Sequence, residues 1–161
     1  MVASQDAEGD RSHWVEGSLD WEDAILEWEE TDRVGAEVQW RRGNIALALN
    51  PIYGDKTLEK FAERMQVELR RVEEYRQVSK AYEIRVRTRN LSWTHHARIV
   101  ARPDRLKWLK DADAGEWSVA RMLQQIEASD AKLHQEEIDR QNAEYVRRMA
   151  LDLAALIDQR K

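Results

Sequence analysis

The sequence predicts an all-α fold, and three observations carry that prediction. The 161 residues include two prolines, six glycines and 35% charged side chains, a composition suited to helices joined by short loops. Apolar residues recur at three- and four-residue intervals over several segments, as they do on a helix that buries one face. Helix-start residues such as serine, and stop signals such as Asn50-Pro51 and Gly115, punctuate those segments.

Residues 1–17 are polar and unpatterned and are expected to form a disordered tail. From Ser18, read as an N-cap, L-D-W-E-D-A-I-L-E-W-E-E sets Trp21, Ile25 and Trp28 at helical spacing, with acids on the remaining face. Gly35 loosens the next connection. Val38 to Leu49 then reads as a helix with Ile45, Leu47 and Leu49 on its apolar side, closed by Asn50-Pro51. Residues 18–50 therefore form an acidic N-terminal helical region, and the turn P-I-Y-G-D follows it.

In F-A-E-R-M-Q-V-E-L-R-R-V-E-E-Y-R, Phe61 to Arg76, the apolar residues Phe61, Met65, Val67, Val72 and Tyr75 are spaced by four, two, five and three. One straight helix does not produce that rhythm, but two helices crossing at a short turn do, because the phase must slip at the corner. The reading is a helix-turn-helix: Thr57 as N-cap, a first helix over Leu58 to Arg64, a turn over Met65 to Glu68, and a second helix over Leu69 to about Ala81. Ala62 stands where the helices approach most closely. Gln66 occupies the turn position that glycine usually fills, which requires a left-handed backbone there.

Arg85 to Asn90 reads as a basic linker. Ser92 caps a helix over Trp93 to Ala101, and Pro103 suits the first turn of another that runs to about Ala114 and closes at Gly115. Ser118 caps the last segment. Its apolar residues Met122, Ile126, Leu133, Ile138, Tyr145, Met149, Leu153 and Leu156 form a stripe that slips in phase between Leu133 and Ile138. A stutter, or a break near Ser129-Asp130, would produce that slip. The expected architecture is a helix-turn-helix core with supporting helices, over residues 51–126, and a long C-terminal helix or helical hairpin over residues 127–161. The last segment is longer than a small domain needs to cover itself, which points to homodimerisation through Leu133, Ile138, Tyr145, Met149, Leu153 and Leu156, the alternative being a helix that folds back on its own chain.

The net charge of −5 conceals an uneven distribution. Residues 1–38 hold 2 basic and 12 acidic side chains, residues 39–110 hold 17 and 8, and residues 111–161 hold 7 and 11. A basic middle between acidic flanks suits a nucleic-acid-binding domain with non-binding appendages. On the second helix of the helix-turn-helix, Arg70, Arg71 and Gln77 are candidates for base edges, since arginine pairs with guanine and glutamine with adenine. Lys80, Arg85, Arg87, Arg89 and Arg98 are candidates for phosphate. Trp14, Trp21 and Trp28 recur every seven residues in the acidic segment. That segment is expected to pack on the chain's own basic domain, the alternative being an acidic, aromatic surface offered to a protein partner.

Further along, L-S-W-T-H-H-A-R-I-V-A, Leu91 to Ala101, and E-W-S-V-A-R-M-L-Q-Q-I, Glu116 to Ile126, follow the predicted helix-turn-helix. With T-L-E-K-F-A-E-R-M-Q-V they resemble the DNA-binding domain of the ParB/KorB partition-protein family. Leu91-Ser92, His96-Ala97-Arg98 and Ser118-Val119 with Arg121 stand where that family has its leucine-serine pair, its histidine-alanine-arginine helix start and its later serine-valine-arginine-like segment. The resemblance spans roughly Lys56 to Ile126 and implies a ParB-like DNA reader buttressed by Ser92 to Ile126. A weaker similarity exists to the N-terminal domain of YhcG-like nuclease-associated proteins. The ParB family's CTP-binding clamp carries arginine-rich motifs, whereas R-R-G-N here, Arg41 to Asn44, lies in a predicted helix. Neither CTP nor any other cofactor is expected.

His95 and His96 are adjacent, so on a helix they point about 100° apart and do not share a metal. His13 and His134 have no ligand spacing around them, and no metal site is expected. There is no nucleophile elbow, phosphate-binding glycine loop or paired-carboxylate metal motif, so no enzymatic activity is expected. Cysteine is absent, no apolar run approaches a membrane span, and the N-terminus lacks the pattern of a signal peptide. These features predict a cytoplasmic, nucleoid-associated protein that binds double-stranded DNA as a homodimer without engaging a membrane. Its predicted role is transcriptional regulation or plasmid or phage maintenance, the alternative being a protein-interaction adaptor that keeps the helix-turn-helix without binding DNA.

Overall fold

The computed structural model describes residues 14–32 and 37–160. It is all-α: seven α-helices and no strand among the described residues. The expected disorder of residues 1–13 and the loosening at Gly35 fall outside these residues.

The first helix, α1, spans Trp21–Thr31. Asp20 rather than Ser18 caps it: the Asp20 carboxylate accepts from the Glu22 N–H at 3.2 Å. The Ser18 hydroxyl is already taken, donating to the Val15 carbonyl at 2.7 Å within a tight turn. Residues 14–17, expected to belong to a disordered tail, make that turn, with Gly17 at its left-handed corner (φ +75°). Helix α2 spans Val38–Ala48 and stops one residue early, because Leu49 leaves the helix to form an isolated parallel bridge with Leu19.

Helices α3, Thr57–Met65, and α4, Leu69–Ala81, match the predicted pair closely. Thr57 is the first residue of α3 rather than its cap. Its hydroxyl donates to the Gly54 carbonyl at 2.8 Å and accepts from the Tyr53 N–H at 3.0 Å, so it fastens the preceding turn instead. Helix α5, Trp93–Arg98, is shorter than expected, with Ile99 leaving helical geometry. Helix α6, Arg105–Ala114, starts after Pro103, with Asp104 as its N-cap. Gly115 ends α6 in ordinary right-handed geometry, and the positive φ falls on Glu116 (52°).

One hydrophobic cluster gathers Ala24, Ile25 and Trp28 of α1, Ile45, Ala46 and Leu49 of the α2 region, Phe61 and Ala62 of α3 and Val72 of α4. Phe61 meets the rings of Trp21 and Trp28 edge-on at 5.6 and 5.5 Å, the arrangement that ring quadrupoles prefer. Helices α2 and α4 cross at Gly43, where a β-carbon would lie 2.1 Å from Ser79 Oγ and 2.4 Å from the Tyr75 carbonyl oxygen. Only glycine permits that approach. Behind the crossing, Trp40, Tyr82 and His96 form an aromatic cluster with centroids 5.0 to 6.3 Å apart.

The chain divides into two compact units, Met1–Glu116 and Trp117–Lys161. The acidic N-terminal helices thus belong to the same unit as the helix-turn-helix, and the division falls at Glu116 rather than near Ile126. In the second unit, α7 runs unbroken over Val119–Asp158, capped by the Ser118 hydroxyl, which accepts from the Arg121 N–H at 3.1 Å. Forty residues make it about 60 Å long. The helix neither breaks at Ser129-Asp130 nor forms a hairpin. The five residues from Leu133 to Ile138 carry the apolar stripe round by roughly 140°, at about 100° per residue. Met122 and Ile126 therefore lie on one side of α7, and Ile138, Tyr145, Met149, Leu153 and Leu156 toward the other.

Candidate nucleic-acid interface

The turn between α3 and α4 closes as its residues require. Gln66 is left-handed (φ 57°, ψ 40°); its N–H reaches the Glu63 carbonyl at 3.2 Å, and the Val67 N–H reaches the Ala62 carbonyl at 3.0 Å. Those two bonds form a Schellman closure, and Val67 packs its side chain against the same core that buries Phe61. The chain then re-enters a helix at Leu69. Val72, Val78 and Ser79 turn inward, and the opposite face of α4 stays in solvent.

On that outer face stand Arg70 and Gln77, both exposed and seven residues apart, so they lie within roughly 20° of each other around the helix. Glu73 and Lys80 continue the same strip. Arg70 forms no ion pair among the described residues, whereas Arg71 sits to one side and pairs with Glu74 at 2.9 Å. Of the three candidate base-contacting residues, the structure places Arg70 and Gln77 together and Arg71 apart. Glu73, Arg76, Gln77 and Lys80 line a shallow groove with Leu58 and Ala81.

The candidate phosphate contacts fare differently from one another. Lys80, Arg85 and Arg87 line one cleft of about 830 Å³ with Trp14, Glu16, Asn44 and Ser79. Arg85 is exposed and pairs with Glu83 at 2.9 Å. Arg89 and Arg98 are exposed, with no ion pair among the described residues, and neither lines that cleft. Arg87, expected to meet phosphate, is instead part of the framework. Its guanidinium lies 4.1 Å from the centre of the Trp40 ring and donates to the Tyr82 carbonyl at 3.0 Å and to Asn44 Oδ1 at 2.7 Å. Burial lowers its pKa to about 10.

The run R-R-G-N is structural as well. Arg41 pairs with Glu27 at 3.6 Å, and Arg42 pairs with Asp32, donates to Thr31 Oγ1 at 2.9 Å and covers the Trp28 ring. Gly43 is the crossing point with α4, and Asn44 holds Arg87.

The acidic segment packs on the chain's own basic unit, as favoured from the sequence. Trp21 and Trp28 face the core, and Trp14 packs at its edge. Glu16 reaches 60 residues along the chain to Arg76 (2.8 Å) and also meets Lys80 (3.4 Å). This pairing was not legible residue by residue; the charge contrast between the two regions was its only signal.

His95 and His96 are both buried. His95 completes a capping box, its Nδ1 accepting from the Ser92 N–H at 3.2 Å while its own N–H donates to the Ser92 hydroxyl at 3.4 Å. His96 Nε2 accepts from the Thr88 N–H at 3.2 Å, which leaves Nδ1 to donate to the Ser92 carbonyl at 2.9 Å. Burial, together with the charge of Arg87, holds its pKa below the usual histidine value. Among the described residues no group of histidine and carboxylate side chains could hold a metal ion. None of their helices is long and apolar enough to cross a membrane. Searches against protein-family models, curated proteins and solved structures found no match for this chain.

Proposed function

We propose that this protein is a sequence-specific double-stranded DNA-binding protein, a transcriptional regulator or plasmid or phage maintenance factor, that reads the major groove with α4 and acts as a homodimer. The observation that carries the reading is the exposed strip Arg70, Gln77 and Lys80 on the second helix of a Schellman-closed helix-turn-helix. In DNA-binding proteins built this way, that helix presents its outer face to base edges. The ParB/KorB-like motifs over Lys56 to Ile126 support the same reading, and Arg85, Arg89 and Arg98 offer phosphate contacts around it. The distal face of α7 supports the dimer, since Tyr145, Met149, Leu153 and Leu156 are 47 to 64% exposed on one side of a helix.

Selection from a random duplex library, followed by binding of the winning sequence and a scrambled control across a salt series, tests the proposal. An enriched motif bound well above the control, with affinity falling steeply in salt, supports it. No enrichment and no binding at low salt removes it. Glu68, Glu73 and Glu74, which repel phosphate from the same helix, favour a second reading as a protein-interaction adaptor. That reading predicts partner proteins and negligible DNA affinity.

A further inference from the structure

Arg76 and Lys80 lie one turn apart on α4 and converge on a single carboxylate oxygen, Glu16 Oε1, at 2.8 and 3.4 Å. The carboxylate is held there by backbone built around it. The Ser18 N–H bonds the Val15 carbonyl at 3.1 Å, left-handed Gly17 bonds the Leu47 carbonyl at 3.3 Å, and Leu19 is tied to the Ala48 carbonyl at 2.6 Å. Trp14 anchors the other end of this strap on the core. The three charged side chains themselves remain in contact with water, with Arg76 31%, Lys80 57% and Glu16 53% exposed. Two cations fixed on a helix flank beside Gln77 and aimed at one oxygen anion form a geometry that also suits a phosphate oxygen. Solvent-accessible pairs of this kind are weak enough to exchange for another anion.

We propose that Arg76 and Lys80 form a binding site for a DNA backbone phosphate on the flank of α4, and that the Glu16 carboxylate occupies it until duplex DNA displaces it. The inference rests on the DNA-binding reading of α4 and adds both a contact residue, Arg76, and a built-in competitor. With the strap in place, each binding event must break the two Glu16 pairs. The freed carboxylate then recruits a counterion, which makes binding less salt-dependent than the number of phosphate contacts implies.

The test measures binding of the full chain and its variants to the library-selected duplex over a salt series, with thermal melting to confirm folding. Glu16→Gln removes the charge and keeps the size. It is expected to tighten binding about three- to tenfold at low salt and to steepen the slope of log affinity against log salt by up to about one unit. Arg76→Gln with Lys80→Gln is expected to weaken binding to all sequences and, compared with Glu16→Gln, to flatten the slope by about one unit. In that background Glu16→Gln should have no effect. Binding by Glu16→Gln alone, with none by the unmodified chain, also supports the site. If the unmodified chain binds and Glu16→Gln changes neither affinity nor slope, the site is overturned while the DNA reading stands. If neither protein binds any duplex, both fail.

Discussion

The first compact unit and the distal half of α7 use the same class of side chain in opposite ways. In the first, Trp28, Ile45 and Phe61 are at most 1% exposed, whereas Tyr145, Leu153 and Leu156 of α7 are 64%, 58% and 62% exposed. Both regions show the apolar periodicity of a helix with one apolar face. In the first unit the cover comes from the chain's own neighbouring helices. Along the distal half of α7 those side chains are exposed among the described residues, and the stripe has rotated by roughly 140° from the side that carries buried Met122 and Ile126. Periodicity thus marks an apolar face without showing whether the chain itself covers it.

Substitutions should separate the two regions. The largest effect is expected from Trp28→Ala, which empties the centre of the core and should cost about 3–5 kcal/mol in chemical denaturation. A loss below about 1 kcal/mol would mean that α1 is not integral to the unit. Gly43→Ala should cost about 1–3 kcal/mol by overpacking the α2–α4 crossing. Ser79→Gly should restore only part of that, because the Tyr75 carbonyl at 2.4 Å remains in the way.

A smaller, pH-dependent effect is expected at His96. Burial lowers its folded pKa, so the unfolded chain, near 6.5, takes up the proton first. The stability this residue contributes is present above about pH 6.5 and lost as pH falls below it. Protonation would set a second N–H against the Thr88 N–H, and Arg87 and His95 add repulsion. Melting curves between pH 7.5 and 5 should show that loss, and His96→Gln should flatten it. An equal slope in the variant would assign the acid sensitivity elsewhere. The smallest effect on unfolding of the first unit should come from Met149→Asp with Leu156→Asp, within about 0.5 kcal/mol, because both side chains lie outside that unit. The same pair should shift sedimentation from dimer to monomer. An unchanged sedimentation coefficient would remove the dimer assignment.

Much of the architecture was readable because local chemistry decided it. The slip from Phe61 to Tyr75 located the α3–α4 turn, and Gln66 took the left-handed backbone that the turn required. Less was readable where distant residues decided. Arg87 looked like one more cation in a basic linker, and its partners Trp40 and Asn44 lie more than 40 residues earlier in the chain. Adjacency to His96 did not show that the His95 ring closes the cap on Ser92. The phase slip in α7 fitted a break as well as a rotation, because one chain's periodicity does not reveal which side a partner covers. Asp20 displaced Ser18 as the cap of α1 because the serine hydroxyl was used by the turn before it.

The central claim is that the outer face of α4 reads base sequence, and binding of the selected duplex by Arg70→Ala and Gln77→Ala tests it most directly. Each variant should lose about 1–3 kcal/mol and relax preference at one base position, with melting unchanged because both side chains are exposed. Unchanged affinity and unchanged base preference in both variants would contradict the claim.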